Sequence, residues 1–450
     1  MGGFELSAAV NTNNVFLINF AELQERLDPL FYNTVHGFSL VKYTTFPVKK
    51  LSEVINMQRG RFGHRPRNEP KFYGGQYPFI QTSDVVKASQ TNAPITYTQT
   101  LNELGLQTSR LFDKNVMVIT IAANIGDTAI LDYPACFPDS LIGITPKTEA
   151  LTLNYLNVYF KFLKPYLEDL APQSAQKNIN YQQLSPVPIV VPPLAIQKNI
   201  TDLYRDAHQQ KQQKEQQAQT LLDGIDSYLL NELGITLPQQ DNRLEKRIFT
   251  VPFSEVTGER FDPDIYFTKN FKIEGGKYEN SPLFKLAHVN KGQSITSNDI
   301  VAGKYPVIAG GQSSPYSHNV TNYQGNVITV SASGAYAGFV WYHDYPIFAS
   351  DCSVIQSKNE KILNTLYLAE LLKTKQKEIY NLQQGAGQPH VYSRDLILQN
   401  IPLPPIEKQS EIAAHIRQIR AQAKQLQADA SRMLADAKAE IERMILGENG

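Results

Sequence analysis

From Ile412 the apolar residues fall at Ile412, Ile416, Ile419, Ala423, Leu426, Ala430, Met433 and Ala437, in alternating steps of four and three. That is heptad spacing, which gathers the side chains into one seam along a helix. Ile441 and Met444 prolong the seam, and neither proline nor glycine occurs between Pro405 and Gly447, so one long helix is expected. A fainter copy lies at Ile196, Ile200, Leu203 and Ala207, then Lys214, Ala218, Leu221, Ile225 and Tyr228. The stretch from Leu194 to Leu233 also lacks proline and contains only Gly224 as a weak point. Its middle, QQKQQKEQQAQ at 209–219, is nearly all polar. It reads either as a solvated helix face or as a patch meeting another subunit.

Helices of roughly 35–40 residues would be about 55 Å long, more than a domain core needs. Two single-seam helices in one chain pack most simply against each other, antiparallel if a pseudo-two-fold axis relates them. The side chains expected in that packing are Ile196, Ile200, Leu203, Leu221, Ile225, Ile412, Ile416, Ile419, Leu426, Met433 and Ile441.

Elsewhere the pattern shortens. Apolar, β-branched runs at 116–122, 141–144, 187–191, 327–330 and 339–342 are separated by Gly, Pro, Asn and Asp, as strands require. Residues 151–163 and 363–379 carry apolar side chains at three- and four-residue steps and read as helices lying on sheet. An α+β fold follows.

The pattern is also written twice. Val15-Phe-Leu-Ile-Asn-Phe-Ala-Glu resembles Ile248-Phe-Thr-Val-Pro-Phe-Ser-Glu, and Arg26-Leu-Asp-Pro resembles Arg260-Phe-Asp-Pro. Lys50-Leu-Ser-Glu-Val-Ile-Asn before Gly60 pairs with Phe284-Lys-Leu-Ala-His-Val-Asn before Gly292. Gln76-Tyr-Pro-Phe-Ile pairs with Lys304-Tyr-Pro-Val-Ile, and Val118-Ile-Thr-Ile-Ala with Val327-Ile-Thr-Val-Ser. Residues 176–200 then match 388–412 without a gap, at an offset of 212 (388 less 176). Blocks in one order at so long a period mean a duplicated domain, not a solenoid. In each copy a β-type run stops at a double proline, Pro192-Pro193 or Pro404-Pro405, and the long helix begins. Proline cannot donate to a strand ladder and turns the residue before it away from helix, so each pair marks a junction.

Composition narrows the class. With 42% apolar and 10% aromatic residues the chain can bury real cores and is not a disordered one. Lys plus Arg and Asp plus Glu both number 43, which argues against a protein that coats nucleic acid indiscriminately but leaves room for a local basic face. Two cysteines, Cys136 and Cys352, do not align between copies and fit buried thiols in a reducing cytoplasm. The opening residues lack a signal-peptide pattern, and no apolar run approaches the roughly 20 residues of a spanning helix.

Motifs for bond-making chemistry are absent. There is no G-x-x-x-x-G-K-[ST] phosphate loop, and GAGQPH at 385–390 reads as a turn. The eight histidines show no metal-ligand spacing, so no metal site and no catalytic residue is expected. VSASGA at 330–335 misses the nucleophile-elbow spacing, and no Asp/Asn-Pro-Pro-Tyr motif of an amino-methyltransferase occurs. A binding surface is the better prospect. Lys49, Lys50, Arg59, Arg61, Arg65, Arg67 and Lys71 crowd one segment, with Tyr73 and Gln76 adjacent. The second copy offers Lys285, Lys291, Gln293, Ser294 and Lys304, then Gln312, Ser313 and Tyr316. Arg, Lys, Gln and Asn are the residues that neutralise phosphates and read purine edges, so these are candidate DNA contacts; the alternative is an ordinary solvated loop.

The order of parts resembles the specificity subunit of a Type I restriction-modification system, over most of the chain and in both halves. The carriers are Lys50-Leu-Ser-Glu-Val and Lys285-Leu-Ala-His-Val, the Tyr-Pro-Phe-Ile and Tyr-Pro-Val-Ile strands, and Asn124-Ile-Gly-Asp-Thr-Ala. Strongest are the closing signatures, Ile189-Val-Val-Pro-Pro-Leu-Ala-Ile-Gln and Ile401-Pro-Leu-Pro-Pro-Ile-Glu-Lys-Gln; the first has Ile196 where a charged residue is more usual. The resemblance implies two mixed α/β target-recognition domains, 1–192 and 248–404. Between and after them would come long helices at 193–235 and 405–450, with a linker at 236–247, packed as an antiparallel coiled coil with pseudo-two-fold symmetry. It implies a non-catalytic, cytoplasmic, membrane-free subunit that binds double-stranded DNA at a bipartite asymmetric site. Two modification subunits and separate restriction subunits would be its partners, and those would carry S-adenosylmethionine, ATP and Mg; this chain would bind no cofactor. Two other readings stay open, a duplicated scaffold binding protein or carbohydrate and the recognition part of a fused restriction-methylation enzyme.

Overall fold

The computed structural model describes residues 39–448 apart from 64–67, 172–177, 238–242, 244, 246–247, 257–272 and 386. Blocks 15–22, 26–29 and 260–263 of the repeat, together with Arg65 and Arg67, lie outside the described residues. The chain divides into two compact units, one of Met1–Lys214 with Ala428–Gly450 and one of Glu215–Gln427.

In the first unit the elements are β1 (Val48–Lys50), β2 (Ile55–Arg59), β3 (Tyr73–Phe79), α1 (Thr82–Thr91), β4 (Gln99–Leu101), β5 (Leu111–Phe112) and β6 (Met117–Thr120). They continue with β7 (Thr128–Ile130), β8 (Ala135–Cys136), β9 (Leu141–Pro146), α2 (Leu153–Leu170), β10 (Pro188–Val190) and the start of α3 (Leu194–Leu233). One antiparallel sheet has the order β2-β9-β6-β7, a second has β4-β3-β8-β5 with β3 and β8 parallel, and β1 pairs with β10. Alternate residues of β6 serve two cores. Met117 and Ile119 pack with Tyr155, Tyr159 and Phe160 of α2, whereas Val118 joins Val85 and Ala88 of α1. A strand covered on both faces reads as continuously apolar, which is how this one looks in the sequence.

The second unit repeats the plan with β11 (Asn280–Pro282), β12 (Ala287–Lys291), β13 (Tyr305–Ile308), β14 (Ser317–His318), β15 (Val327–Ser331) and β16 (Val340–His343). After these come β17 (Phe348–Ala349), β18 (Cys352–Ser357), α4 (Thr365–Thr374), β19 (Asn400–Pro402) and α5 (Ile406–Leu446). Its sheets run β12-β18-β15-β16, β14-β13-β17 with β13 and β17 parallel, and β11-β19. The expected α+β fold, duplicated, is therefore the observed one.

Register corrects two of the repeat blocks. Leu51 N donates to the Val187 carbonyl as Leu283 N does to that of Gln399, so Leu51 corresponds to Leu283 and Lys285 to Glu53. The shared Lys-Leu letters of the two openings are thus three residues out of structural step. Met117 faces Ile144 as Ile328 faces Ile355, so the pairing of Val118 with Val327 is two residues out, a shift that preserves the faces of the strand. The expected helices differ as well. α2 runs on through Pro165 to Leu170, held by the burial of Tyr166, Leu167 and Leu170. The helix expected at 363–379 breaks at Lys375 into α4 and a short turn, Gln376–Tyr380. The buried Lys375 ammonium donates to the Ile273 carbonyl and pairs with Glu378 at 2.7 Å, partners that a buried charge requires.

The long helices meet head to tail in each unit. Ile200 and Tyr204 near the start of α3 share a core with Ile441 and Ile445 near the end of α5. Ile225, Leu229 and Leu233 at the end of α3 share one with Ile412, Ala413 and Ile416 at the start of α5. Alanines at 207, 218, 423, 430 and 437 are buried along the seam, while Ile196, Leu203, Leu221, Ile419, Leu426 and Met433 are half-buried. Helix ends are tied alike. Thr45 N donates to the Leu446 carbonyl, and Lys277 N to that of Leu233.

At each double-proline junction sits a fully buried glutamine. Gln197 accepts from Thr152 N at 2.9 Å and from the Thr152 hydroxyl at 3.1 Å. Its amide donates to the carbonyls of Ala150 and Pro192 at 2.7 and 2.8 Å. Gln409 accepts from Asn364 N and donates to the carbonyls of Ile362 and Pro404, at 2.8, 2.9 and 2.8 Å. Beside them Tyr155 and Tyr367 donate to the carbonyls of Val190 and Pro402. The first turn of each long helix is thereby bonded to the N-terminus of the helix on the sheet and to the proline bend. Gln409→Ala should lower the stability of the second unit by about 2–4 kcal/mol, because each stranded buried polar group costs ~1–3 kcal/mol. Urea unfolding followed by hydrogen exchange of α4 measures it, against an exposed control, Gln418→Ala, that changes it by less than about 0.5 kcal/mol.

Buried imidazoles set an acid limit. His343 on β16 is fully buried with Nε2 2.9 Å from the Thr329 hydroxyl, and burial pulls its pKa down to about 4. Burial lowers His208 of α3 to about 4 as well, with Lys438 and Lys211 adding to it. Between pH 6.5 and 4 the unfolded chain takes up protons that these folded sites refuse, so stability falls as pH falls through that window. Urea midpoints at pH 7, 5.5 and 4.5 should show this decline, and His343→Gln should flatten it by up to about 3 kcal/mol.

Candidate nucleic-acid interface

The candidate basic residues do not form one patch. Lys49 and Lys50 lie on β1 and Arg59 at the far end of β2, five residues of about 3.3 Å each beyond the short helical turn that follows Lys50. Arg61 is exposed just after β2, while Lys71, Tyr73 and Gln76 belong to the other sheet, on or beside β3. Gln76 is engaged locally, with its amide 3.3 Å from Glu103 and 3.2 Å from the Tyr77 hydroxyl. In the second unit Lys285 precedes β12, and Lys291, Gln293 and Ser294 gather at its other end. Lys304 stands before β13, with Gln312, Ser313 and Tyr316 in the connection to β14. Lys71 and Lys304 each hold the ammonium about 5 Å over the ring of the following residue, at 5.2 and 5.1 Å.

The ends of β2 and β12 open onto a cleft in each unit. The first, of about 310 Å³, has an apolar floor of Met57, Ile121 and Ile142 under a rim of Arg59, Asn180, Tyr181 and Gln182. The second, of about 250 Å³, is lined by Lys291, Ser294, Asp351, Ser353, His390 and Ser393 among others. One construction makes both. The segment before the short helix Tyr181–Leu184 hangs from the end of β6 through Ile179 N to the Ile121 carbonyl, at 2.9 Å. The segment before Ser393–Leu396 hangs from the end of β15 through Val391 N to the Ala332 carbonyl, at 3.0 Å. Gly60 and Gly292 follow β2 and β12, and a Cβ at either would overlap the backbone of Pro138 or Ser350. Close approach of chain to chain thus demands glycine at both.

In the first cleft Arg59 Nε is anchored on the Asp139 carbonyl, and the Arg59 carbonyl accepts from Arg110. In the second, Ser353 and Ser393 hydroxyls lie 2.9 Å apart and Ser333 donates to Asp351. His390 stacks on Tyr392 at 6.1 Å, and the Arg394 guanidinium lies 4.5 Å from the same ring. These groups present donors, acceptors and aromatic faces. Cys352 borders the second cleft, but burial pushes its thiol up to about 12, so it stays protonated at neutral pH. Among the described residues no cluster of His, Cys, Asp and Glu could hold a metal ion, and no helix is long and apolar enough to cross a membrane. Gly385 of the glycine-rich stretch has φ of +99° in a loop closed by reciprocal backbone bonds between Gln384 and His390, a turn.

Of the candidate contacts, Arg59, Lys291 and Ser294 reach a cleft. Asn180, Tyr181, Gln182, Ser353, His390, Tyr392 and Ser393 are the cleft residues that the charge pattern missed. No local signal marks those at 180–182: within the ungapped match of 176–200 to 388–412 the copies differ at most positions, at 183 and 185–188 as well.

The family model of the Type I restriction modification DNA specificity domain matches residues 43–240 and 276–429, once in each half, and the chain belongs to that family. Its relatives include the Type I restriction enzyme MjaVIII specificity subunit of Methanocaldococcus jannaschii, 35% identical over 88 residues, which are 20% of either chain. The putative type I restriction enzyme MjaX specificity subunit of the same organism is 29% identical over 91 residues, 20% of this chain and 21% of that one. The chain thus aligns with about a fifth of the length of these curated relatives. In fold it is similar to the S subunit of a Type-I restriction-modification system from M. genitalium, with TM-score 0.50, 14% identity, and 89% and 96% of the two chains covered. A chain from a structure of type I R-M complex assembly and conformational transition gives TM-score 0.56 at 13% identity, with the same coverage. At such identities the likeness is one of fold.

Cys136 and Cys352 are both buried and unpaired with each other, and burial raises both thiols. Neither should react with an aromatic disulfide reagent within minutes at pH 8 in the native protein, whereas both should react at once in urea; absorbance of the released thiolate counts them.

Proposed function

We propose that this chain is the DNA-specificity subunit of a Type I restriction-modification complex. Each globular domain (1–192 and 248–404) reads one half of a bipartite, asymmetric DNA site. The long helices (193–235 and 405–450, with a linker at 236–247) set the gap between the halves and dock two modification subunits. Those partners bind S-adenosylmethionine and methylate adenine N6, and separate restriction subunits use ATP and Mg to act on unmodified DNA. The chain itself makes and breaks no bond, and it works in the cytoplasm, where the DNA is.

One observation carries this reading: a single fold, with matching sheets, junctions and clefts, occurs twice in a chain of the specificity family, and the side chains lining its clefts differ between copies. Two identical readers would suit a symmetric site, and two divergent ones suit an asymmetric site. A helix of about 40 residues is about 60 Å long, commensurate with one to two turns of DNA at about 34–36 Å each.

Co-expression with its modification subunit, followed by methylation mapping of the host genome, should give one split motif with methylated adenines. A contiguous motif, or none with the partner active, would sink the proposal. Inserting four residues into both long helices, after Lys214 and after Gln427, lengthens each by about 6 Å. The mapped half-sites should stay the same while the gap grows by about two base pairs.

A further inference from the structure

We infer that the two equivalent clefts are the seats where each domain reads base edges, a location that rests on the DNA-specificity reading and sharpens it. The clefts occupy the same place in the fold. β2 corresponds to β12, β6 to β15 and β9 to β18, so Arg59 stands where Lys291 does, Ile142 where Ser353 does, and Asn180 and Tyr181 where Tyr392 and Ser393 do.

Much of the chain differs between the copies, the buried pairs Leu141/Cys352 and Gly143/Val354 on the same strands included, but a set of framing positions recurs. Gly60 and Gly292, Leu51 and Leu283, Tyr155 and Tyr367, Leu184 and Leu396, Pro192 and Pro404, and Gln197 and Gln409 are identical pairs. Inside the clefts the copies differ, and at one pair the difference is not the drift of exposed positions. Ile142 and Ser353 are each 2% exposed, on equivalent central strands, yet one is aliphatic and the other carries a hydroxyl bonded to Ser393. A buried apolar residue exchanged for a bonded serine in the floor of a pocket changes what the pocket accepts. Two readers of different half-sites must differ where bases are read and must agree where the frame is built.

The chemistry of each cleft suits base edges in a different way. Arg59, with Nε anchored on the Asp139 carbonyl, carries a donor fork of the kind that pairs with guanine O6 and N7. The Gln182 amide matches adenine N6 and N7, and Asn180, whose Oδ1 caps the short helix through Gln183 N, offers its amide nitrogen as a donor. The second cleft offers the Lys291 ammonium, the Ser294 and Ser393 hydroxyls, and the Asp351 carboxylate, which match guanine acceptors, either base, and the cytosine amino group. Lys49 and Lys50 on β1, and Lys285 in the short helix before β12, precede the cleft strands and are left to the phosphates.

The test uses the full chain in its complex with the modification subunits. Methylation mapping of Asn180→Ala/Gln182→Ala should show one half-site relaxed at one or more positions, with the other half-site and the gap unchanged. Lys291→Ala/Ser393→Ala should relax the other half-site alone. Binding of purified complexes to duplexes carrying single base-pair changes should lose roughly tenfold to a hundredfold in discrimination at the same positions. Asn180→Asp/Gln182→Glu, which keeps shape, covers the case in which the alanine variant fails to assemble. Unchanged half-sites in both cleft variants, or a uniform loss across all sequences with a flatter salt dependence, would place base reading elsewhere. If wild type itself yields no split motif, the DNA-specificity reading fails; if wild type does and the variants match it, only the cleft assignment fails.

Discussion

The interaction on which most of this structure leans is a glutamine buried at a bend. Gln197 and Gln409 each sit one turn into a long helix, with no exposure to solvent. Each bonds the proline carbonyl behind it and the first residues of the helix that covers the sheet. Helix N-termini leave several N–H groups without partners, and a buried bend leaves carbonyls without partners. One planar amide, with an acceptor and two donors, answers both needs at once. Strand, proline pair and helix then leave the junction in one fixed relation, so the direction of a long helix follows from the sheet that precedes it.

That constraint lets the two copies diverge where they face outward. The sheets, the parallel pair, the helix on the sheet and the junction recur in order, with tyrosines 155 and 367 bonding equivalent carbonyls. Local hardware varies more freely. Asp127 is buried beside Lys164 and Ser89 in the first unit, while Glu370, Lys373 and Arg420 form an ion network in the second. A frame that is over-determined by buried hydrogen bonds and apolar packing tolerates such exchanges, because the cost of each is local.

The helix seam is economical in a different manner. Small side chains, the alanines at 207, 218, 423, 430 and 437, take many of its buried positions. Alanine permits close approach of two helices and loses no rotamer freedom, and larger residues such as Tyr204, Leu229, Ile412 and Ile441 are placed where sheet and helix also meet. In the stretch 209–219, where seven of eleven residues are glutamine, Ala218 alone is buried within the chain.

The sequence by itself determined the duplication, the α+β class, the double-proline junctions and the two long helices, because periodicity and proline act over short range and leave their mark in order along the chain. It also pointed to buried thiols in place of a disulfide framework, since only two cysteines occur and they do not align between the copies. Only the tertiary structure decided the register of the copies, where three letters of apparent match at Lys50 and Lys285 yielded to a backbone bond shared by Leu51 and Leu283. It likewise decided which polar residues converge. Arg59, Ile142 and Tyr181 are far apart in sequence and meet only because β2, β9 and the segment before β10 cross one end of a sheet. Charge density pointed to 49–71 because it is a local property. A cleft is a property of pairing between distant strands, and no local pattern records it.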